Sequence, residues 1–379
     1  MVRSSRQHTQ LSPVLPLMKT LRASLALTIL LVAGCDGDDP TGPETPNGDP
    51  LDLSQPWVTS TPAEEGIDPG GLTVAVDSAG SLEFVRSLLV IRNGRLVQEE
   101  YFGSSSQSTV FDVHSVTKTV TALVVGIAVD DGALDVDDPM VDWLPPDDIR
   151  PEHDGITVDH LLTMTSGIQW SDEVNFGPWI RSGRPVGYVL DQPVVAPPGQ
   201  EFIYATGGSH LLSAIVGEAI GGSTLDFAEE RLLEPLGITE GYWISIGGQP
   251  LGGVGLGMRA RDMARLGQLV LQGGRSGDRQ LVSQQWIDQA FVERVDLPVS
   301  DGFGAGQGYG YQVWTEGGVP ESVAMIGFGG QFVWIVPELD LVVAATSQWS
   351  TSGFENSGGQ TAAVIRIIQD LIIPAVDAS

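Results

Sequence analysis

Residues 112–134, DVHSVTKTVTALVVGIAVDDGAL, constrain the fold more than any other stretch. Val116, Val120, Leu123, Val124 and Ile127 recur at helical spacing and fall on one face, and Gly132 supplies the stop. A helix with such a face has to be packed against a layer of other elements. The same helix carries Lys118. The chain has two lysines, Lys118 and Lys19, against 17 arginines. A side chain so rare, placed beside an apolar face, asks for a property that arginine lacks.

The rest of the sequence supplies the layer. IDPGGLTVAVDSAG predicts a helix with Asp68 as its N-cap and Pro69 at its first position. SLLVIRNGRLVQEEYF predicts a hairpin about Asn93-Gly94. Residues 156–255 read as mostly helical, as in LSAIVGEAI and TLDFAEERLLEPLGI, interrupted by APPGQEF and GGQPLGG. RARDMARLGQLVLQGG is a further helix. The period then changes. YGYQVWT, VAMIG, QFVWIVP and LVVAATS are short strands joined by turns such as Pro337-Glu338-Leu339-Asp340, and TAAVIRIIQDLII closes the chain as a helix. This order predicts an α/β (α+β) fold: an antiparallel sheet flanked by helices, with a mainly helical second domain. The sheet domain is expected over 57–155 and 256–379, and the helical one over 156–255.

The N-terminal region predicts export. Lys19 and Arg22 precede an apolar run from Ala23 to Val32, too short to span a bilayer, and small residues lead to Cys35. Val32-Ala33-Gly34-Cys35 is similar to a bacterial lipobox, which implies cleavage before Cys35 and lipidation of its thiol. Met18 opens a signal of ordinary length and is an alternative start. Residues 36–56, DGDDPTGPETPNGDPLDLSQP, read as a flexible tether. With Cys35 the sole cysteine, no internal disulfide forms. Formal net charge is -29 for the whole chain. Residues 1–35 hold four of the 19 basic groups and none of the 48 acidic ones, so the remainder carries -33 and only Lys118 as lysine. Such a surface repels nucleic acid and anionic lipid, leaving the N-terminal lipid as the expected membrane contact.

Ser115-Val116-Thr117-Lys118 is S-x-x-K at a helix start. Residues three apart share a helix face, so Ser115 Oγ and Lys118 Nζ can meet. Burial against the helix and against Phe111 and Val113 lowers the amine's proton affinity. A neutral amine can take the serine proton as the serine attacks a carbonyl. Arginine cannot, because its guanidinium stays protonated. A serine three residues before a lysine is common by chance, so the spacing alone carries little. The retention of lysine at this one place carries more.

Several stretches together resemble the serine β-lactamase and penicillin-recognising fold, in its class C-like branch. They are FDVHSVTKTVTALVVGIAVDDGALDVDDPM, VDHLLTMTSGI, PPGQEFIYATGGSHLLSAIV, GLGMRARDMARLGQLVLQGG and GFGGQFVWIVPELDLVV. They span roughly residues 60 to 372, in family order. Met164 of LLTMTSGI stands where many relatives have His, and with GFGGQ it is similar to the 6-aminohexanoate-dimer hydrolase type of member. The resemblance implies that Tyr204, in Tyr204-Ala205-Thr206, is the family's second-motif tyrosine, hydrogen-bonded to Ser115 and Lys118. It would act as general base or as proton donor to the leaving group. Thr206 replaces the usual Asn, which puts amide recognition by that side chain in question. The third motif reads Phe328-Gly329-Gly330-Gln331. A cation for a substrate carboxylate is replaced by Phe328, and Gly329 and Gly330 fit a strand against which substrate lies. The implied oxyanion hole is the N–H of Ser115 with that of Gln331.

Other chemistries are poorly represented. G-x-S-x-G, H-E-x-x-H and cysteine clusters are absent, so an α/β-hydrolase elbow and a zinc site find no support, and no metal or cofactor is expected. His114 and His210 read as structural. DDGALDVDDP lacks the EF-hand glycine placement and reads as a packed connection. The expected activity is an envelope-anchored serine hydrolase forming an acyl-enzyme on Ser115 from a small ester or amide. The alternatives are a β-lactamase or D-amino-acid peptidase, and a lipoprotein that binds cell-wall fragments or β-lactams without turnover.

Overall fold

The computed structural model describes residues 49–297, 308–318, 320–349 and 354–376. Asp68 caps α1 (Pro69–Ser81) as its sequence predicts. Its carboxylate accepts from Gly70 N at 3.1 Å and Gly71 N at 2.8 Å, and Pro69 sits at the first position, where no N–H is needed. β1 (Val85–Arg92) and β2 (Arg95–Tyr101) form the expected hairpin. Its turn residues Asn93 and Gly94 have φ of 51° and 70°, the left-handed backbone that Asn-Gly adopts at least cost. β3 (Val110–Asp112) then leads into α2 (Val116–Asp130).

The segment 156–255 contains α3 (Val158–Leu162), α4 (Asp172–Arg181), α5 (Pro185–Leu190), α6 (Thr206–Ala219) and α7 (Thr224–Ala228). The short strands β4 (Tyr242–Trp243), β5 (Ser245–Ile246) and β6 (Gln249–Pro250) come next. β7 (Leu256–Arg259) and α8 (Ala260–Leu271) precede the small hairpin of β8 (Arg275–Ser276) and β9 (Arg279–Gln280), and then α9 (Gln284–Ala290). The chain ends in a meander: β10 (Val295–Asp296), β11 (Gly308–Tyr309), β12 (Trp314–Glu316), β13 (Ser322–Gly327), β14 (Gln331–Val336) and β15 (Leu341–Ser347), then α10 (Phe354–Ile367).

The main sheet has the order β10-β11-β12-β13-β14-β15-β1-β2, with every neighbouring pair antiparallel. The N-terminal hairpin thus joins the C-terminal meander through β15, and the expected antiparallel sheet flanked by helices is present. β13, β14 and β15 are buried at every residue, which requires cover on both faces and explains their unbroken apolar runs. α8 lies on β14, β15 and β1. Gly267 lets it approach, because a Cβ there would lie 2.5 Å from Val342 Cγ1. The helical segment is joined to this layer by packing of α6 on α2 and by pairing of β4 with β7. All described residues belong to one compact unit.

Two expectations change. The spacing in α2 predicts one apolar face, yet every residue from Val116 to Ala128 is buried. α6, the β13–β14 strands and α9 enclose it on different sides. Its threonines are accommodated because each buried hydroxyl has an acceptor: Thr119 Oγ1 donates to Gln312 O and Thr121 Oγ1 to Gly252 O, both at 2.7 Å. The end of the predicted tether is also docked. Leu53 is buried, its N–H donates to Ser276 Oγ at 2.9 Å, and its carbonyl accepts from Arg265 Nε at 2.8 Å.

Gly126 reports on the enclosure of α2. Glycine inside a helix costs about 1 kcal/mol relative to alanine, so Gly126→Ala on a free surface would stabilise. Here a Cβ would stand 2.4 Å from Trp286 Cδ1 and Nε1. Gly126→Ala is therefore expected to destabilise the protein by about 1–3 kcal/mol, read as a lower urea midpoint at unchanged slope.

Candidate active site

The site begins with the turn between β3 and α2. β3 pairs with β7, and Val113 N–H extends the contact to Leu256 O at 2.9 Å. His114 then takes φ of 48°, a left-handed conformation rare for a residue with a side chain, held by its N–H donating to Asp112 Oδ1 at 2.9 Å. This turn delivers Ser115 as the N-cap of α2, with its hydroxyl not used in capping. No described residue accepts a hydrogen bond from the Ser115 N–H. One turn on, Lys118 Nζ donates to Ser115 Oγ at 3.0 Å, the contact that the S-x-x-K spacing predicts.

Lys118 is 1% exposed. Its Nζ also donates to Thr206 Oγ1 at 2.9 Å and to Gly253 O at 3.0 Å. Burial pushes its pKa down to about 8, against the opposing charge of Asp172. Asp172, at the first turn of α4, accepts from Thr206 Oγ1 at 2.7 Å through Oδ2 and from Trp170 Nε1 at 2.5 Å through Oδ1. Tyr204 completes the group. Its hydroxyl hydrogen-bonds Ser115, and its ring centroid lies 4.7 Å from Lys118 Nζ. Burial raises the Tyr204 pKa well above that of a free phenol, with the Ser115 bond acting in the other direction. Trp314 stacks on Tyr204 at 5.8 Å and fixes the ring plane. Met164, φ 60°, holds the backbone on either side: its carbonyl accepts from Ile203 N at 2.8 Å and its Sδ from Ala205 N at 3.3 Å.

Ser115, Lys118 and Tyr204 are thus brought together, but Lys118 faces the ring of Tyr204, and its hydrogen bonds go to Ser115, Thr206 and Gly253 in place of the expected Tyr204 hydroxyl. Thr206 does not face a substrate. It is fully buried beneath Lys118, between the amine and Asp172, away from any open surface. Gln331 also differs from its expected place. It is the register partner of Gly327 and belongs to the β13–β14 ladder. Its side chain is buried and clamps Ser347, with Nε2 donating to Ser347 O at 2.7 Å and Oε1 accepting from Ser347 N at 3.1 Å. The turn amides beyond the ladder are those of Phe328, Gly329 and Gly330. Gly329 and Gly330 are needed for reasons other than substrate. Their φ values are 76° and 101°, and Cβ atoms there would meet Trp349 Cβ at 2.5 Å and Ser347 Oγ at 2.8 Å. Phe328 is half-buried and makes edge contacts with His114 and Trp349, so it borders the turn that carries Ser115. Cys35 lies outside the described residues.

Asp172 and Gly253 escape a reading of the sequence. Asp172 looks like any acid in a first helical turn, and Gly253 like any glycine in a loop. Neither carries a local signal, because each meets Lys118 only through the packing of α4, α6 and the β6–β7 connection around α2.

A serine and a low-pKa lysine at the head of an enclosed helix, facing a buried tyrosine beside an antiparallel sheet, define a serine hydrolase of the penicillin-recognising class. The chain belongs to the Beta-lactamase family, whose family model matches residues 85–365. A 6-aminohexanoate-dimer hydrolase of Paenarthrobacter ureafaciens is 25% identical over 285 residues, which cover 69% of this chain and 72% of that protein. Esterase EstB of Burkholderia gladioli is 31% identical over 158 residues, 37% of this chain and 40% of that one. The octameric penicillin-binding protein homologue from Pyrococcus abyssi shares the fold, with a TM-score of 0.64 at 22% identity, covering 80% of this chain and 78% of that chain.

The end of β13 sets the distance between the sheet and the nucleophile. A Cβ at Gly327 would stand 2.3 Å from Val113 O, two residues before Ser115. Gly327→Ala must push the strand and the Ser115 turn apart. It is expected to lower hydrolytic kcat/KM about ten- to a hundredfold while the protein still unfolds cooperatively, checked by kinetics and thermal melting side by side.

Proposed function

We propose that this protein hydrolyses a small ester or amide without a free carboxylate, through an acyl-enzyme on Ser115. The observation that carries the reading is the 3.0 Å contact between Ser115 Oγ and an amine whose pKa is about 8. Neutral Lys118 takes the Ser115 proton as Oγ bonds to the substrate carbonyl carbon. The oxyanion receives the Ser115 N–H and an amide of the turn after Gly327. Tyr204, kept protonated by burial, gives its proton to the leaving alcohol or amine and regains one from Lys118. Water then attacks the acyl-enzyme by the same groups in reverse. Phe328, in place of a cation, favours a neutral acyl group. Two relatives, a 6-aminohexanoate-dimer hydrolase and an esterase, support a reading that covers both leaving-group classes.

Hydrolysis of p-nitrophenyl acetate and butyrate by the chain from Asp36 onward tests this directly. Wild type is expected to turn over and Ser115→Ala to lose about a thousandfold or more in kcat. Equal rates would remove Ser115 as nucleophile. The active form has a neutral amine, so kcat/KM is expected to be low at acid pH, to rise through about 8 and to level off above.

The reading includes export and anchoring by a lipid on Cys35, supported by the apolar run before it. Cys35→Ser is expected to abolish incorporation of labelled palmitate in a bacterial host and to release the protein from the membrane fraction. Lipid labelling that survived the substitution would exclude the anchor.

A further inference from the structure

We propose that Asp172 and Trp170 form a hydrogen-bond relay that aims the lone pair of Lys118 at Ser115 through Thr206. The proposal rests on the acyl-enzyme reading and adds two positioning residues to it.

The number of protons available at each atom fixes the direction of every bond in the chain from Trp170 to Ser115. An ionised carboxylate only accepts, and an indole N–H only donates. Trp170 Nε1 therefore occupies Asp172 Oδ1, and Asp172 Oδ2 takes the one proton of Thr206 Oγ1, at 2.7 Å. With that proton committed, Thr206 Oγ1 can only accept from Lys118, 2.9 Å away. Gly253 O, at 3.0 Å, likewise only accepts. A protonated Lys118 has three N–H bonds for its three oxygen partners. A neutral one has two N–H bonds and one lone pair. Two of its partners cannot give a proton and the third, Ser115 Oγ–H, can. Loss of a proton thus leaves the lone pair on the side of Ser115, where the base is needed. Thr206 in the place of Asn keeps an acceptor toward Lys118 and hands the direction of its own proton to Asp172.

Trp170 fixes the sense of the relay. In Asp172→Asn the amide could keep its oxygen toward Thr206 only by pointing its NH₂ at the Trp170 N–H, donor against donor. The favoured orientation gives the oxygen to Trp170 and the NH₂ to Thr206. Thr206 must then turn its proton toward Lys118, and the lone pair is spent on Thr206 instead of Ser115. Removing the indole donor lets the Asn oxygen return.

Among the described residues, the charged and titratable groups facing Lys118 are Asp172 from α4, His114 from the turn before α2, and Tyr204 from the segment before α6. Burial, ahead of the opposing charge of Asp112 and the adverse charge of Lys118, holds the His114 pKa below its usual value. Asp172 raises the proton affinity of Lys118, so its neutralisation moves the acid limb of kcat/KM to lower pH.

The test is a set of pH–rate profiles on a p-nitrophenyl ester for wild type, Ser115→Ala, Asp172→Asn, Thr206→Ser, Thr206→Val and Asp172→Asn with Trp170→Phe. Asp172→Asn and Thr206→Val are expected to lose about a hundredfold at the plateau, with Thr206→Ser close to wild type. The acid limb of Asp172→Asn is expected at lower pH than that of wild type, a shift that a smaller folded fraction would not cause. The double variant is expected to recover about tenfold over Asp172→Asn, although it removes one more native group. Asp172→Asn at wild-type rate, an unmoved acid limb, or a double variant no better than the single would each overturn the relay while leaving an inactive Ser115→Ala, and with it the acyl-enzyme reading, intact. Turnover that survived Ser115→Ala would overturn both.

Discussion

Lys118 sits in the first turn of a helix enclosed on all sides, with its Nζ within 3.0 Å of three oxygens from three segments of the chain. An unpaired ammonium in such a place would cost several kcal/mol. The three oxygens offset that cost without removing it, and the residue of it appears as a proton affinity lowered to about 8. Burial deep enough to make the amine titrate near neutrality, and partners enough to keep the helix in the core, are the two conditions that the surrounding elements meet together.

The scaffold meets them by bringing both ends of the sequence against α2. β1 pairs with β15, so the N-terminal hairpin closes on the C-terminal meander, and β13 ends against the backbone just before Ser115. From the other side α6 delivers Thr206, and the loop before β7 delivers Gly253 O. The backbone is strained where function needs direction. His114 and Met164 both hold positive φ, one to present Ser115 and the other to present Tyr204. Each is over-determined by its neighbours: His114 by Asp112 and the rings of Phe328 and Trp349, Met164 by hydrogen bonds to the segment it orients.

Much of this is legible in the residues. The Asp68 cap, the Asn93-Gly94 hairpin and the Ser115–Lys118 pair each depend on groups within a few positions of one another. Tyr204 is legible only through resemblance, since a tyrosine before a helix has no local mark of chemistry. Thr206 occupies a recognition position of its motif, which points to the substrate, whereas burial of the start of α6 turns it toward Lys118. Gln331 and the glycines beside it look like site edges in the sequence. Their actual partners, Ser347 and Trp349, are brought by β15 and the residues just after it, and nothing in the spacing of GFGGQ announces that register.

The sequence by itself determined the periodic elements, the helix that has to be buried, the charge of the surface and the choice of lysine where an amine must titrate. Those arise from side-chain chemistry and from contacts a few residues apart, which the chain makes wherever it goes. The tertiary structure decided which oxygens surround that amine. Thr206 and Gly253 lie 88 and 135 residues from Lys118, and Asp172 lies 34 from Thr206. Contacts over such separations exist only when the sheet has closed and α4 and α6 have packed on α2. The proton affinity of Lys118 and the direction of its lone pair therefore belong to the assembled core, not to the motif that contains it.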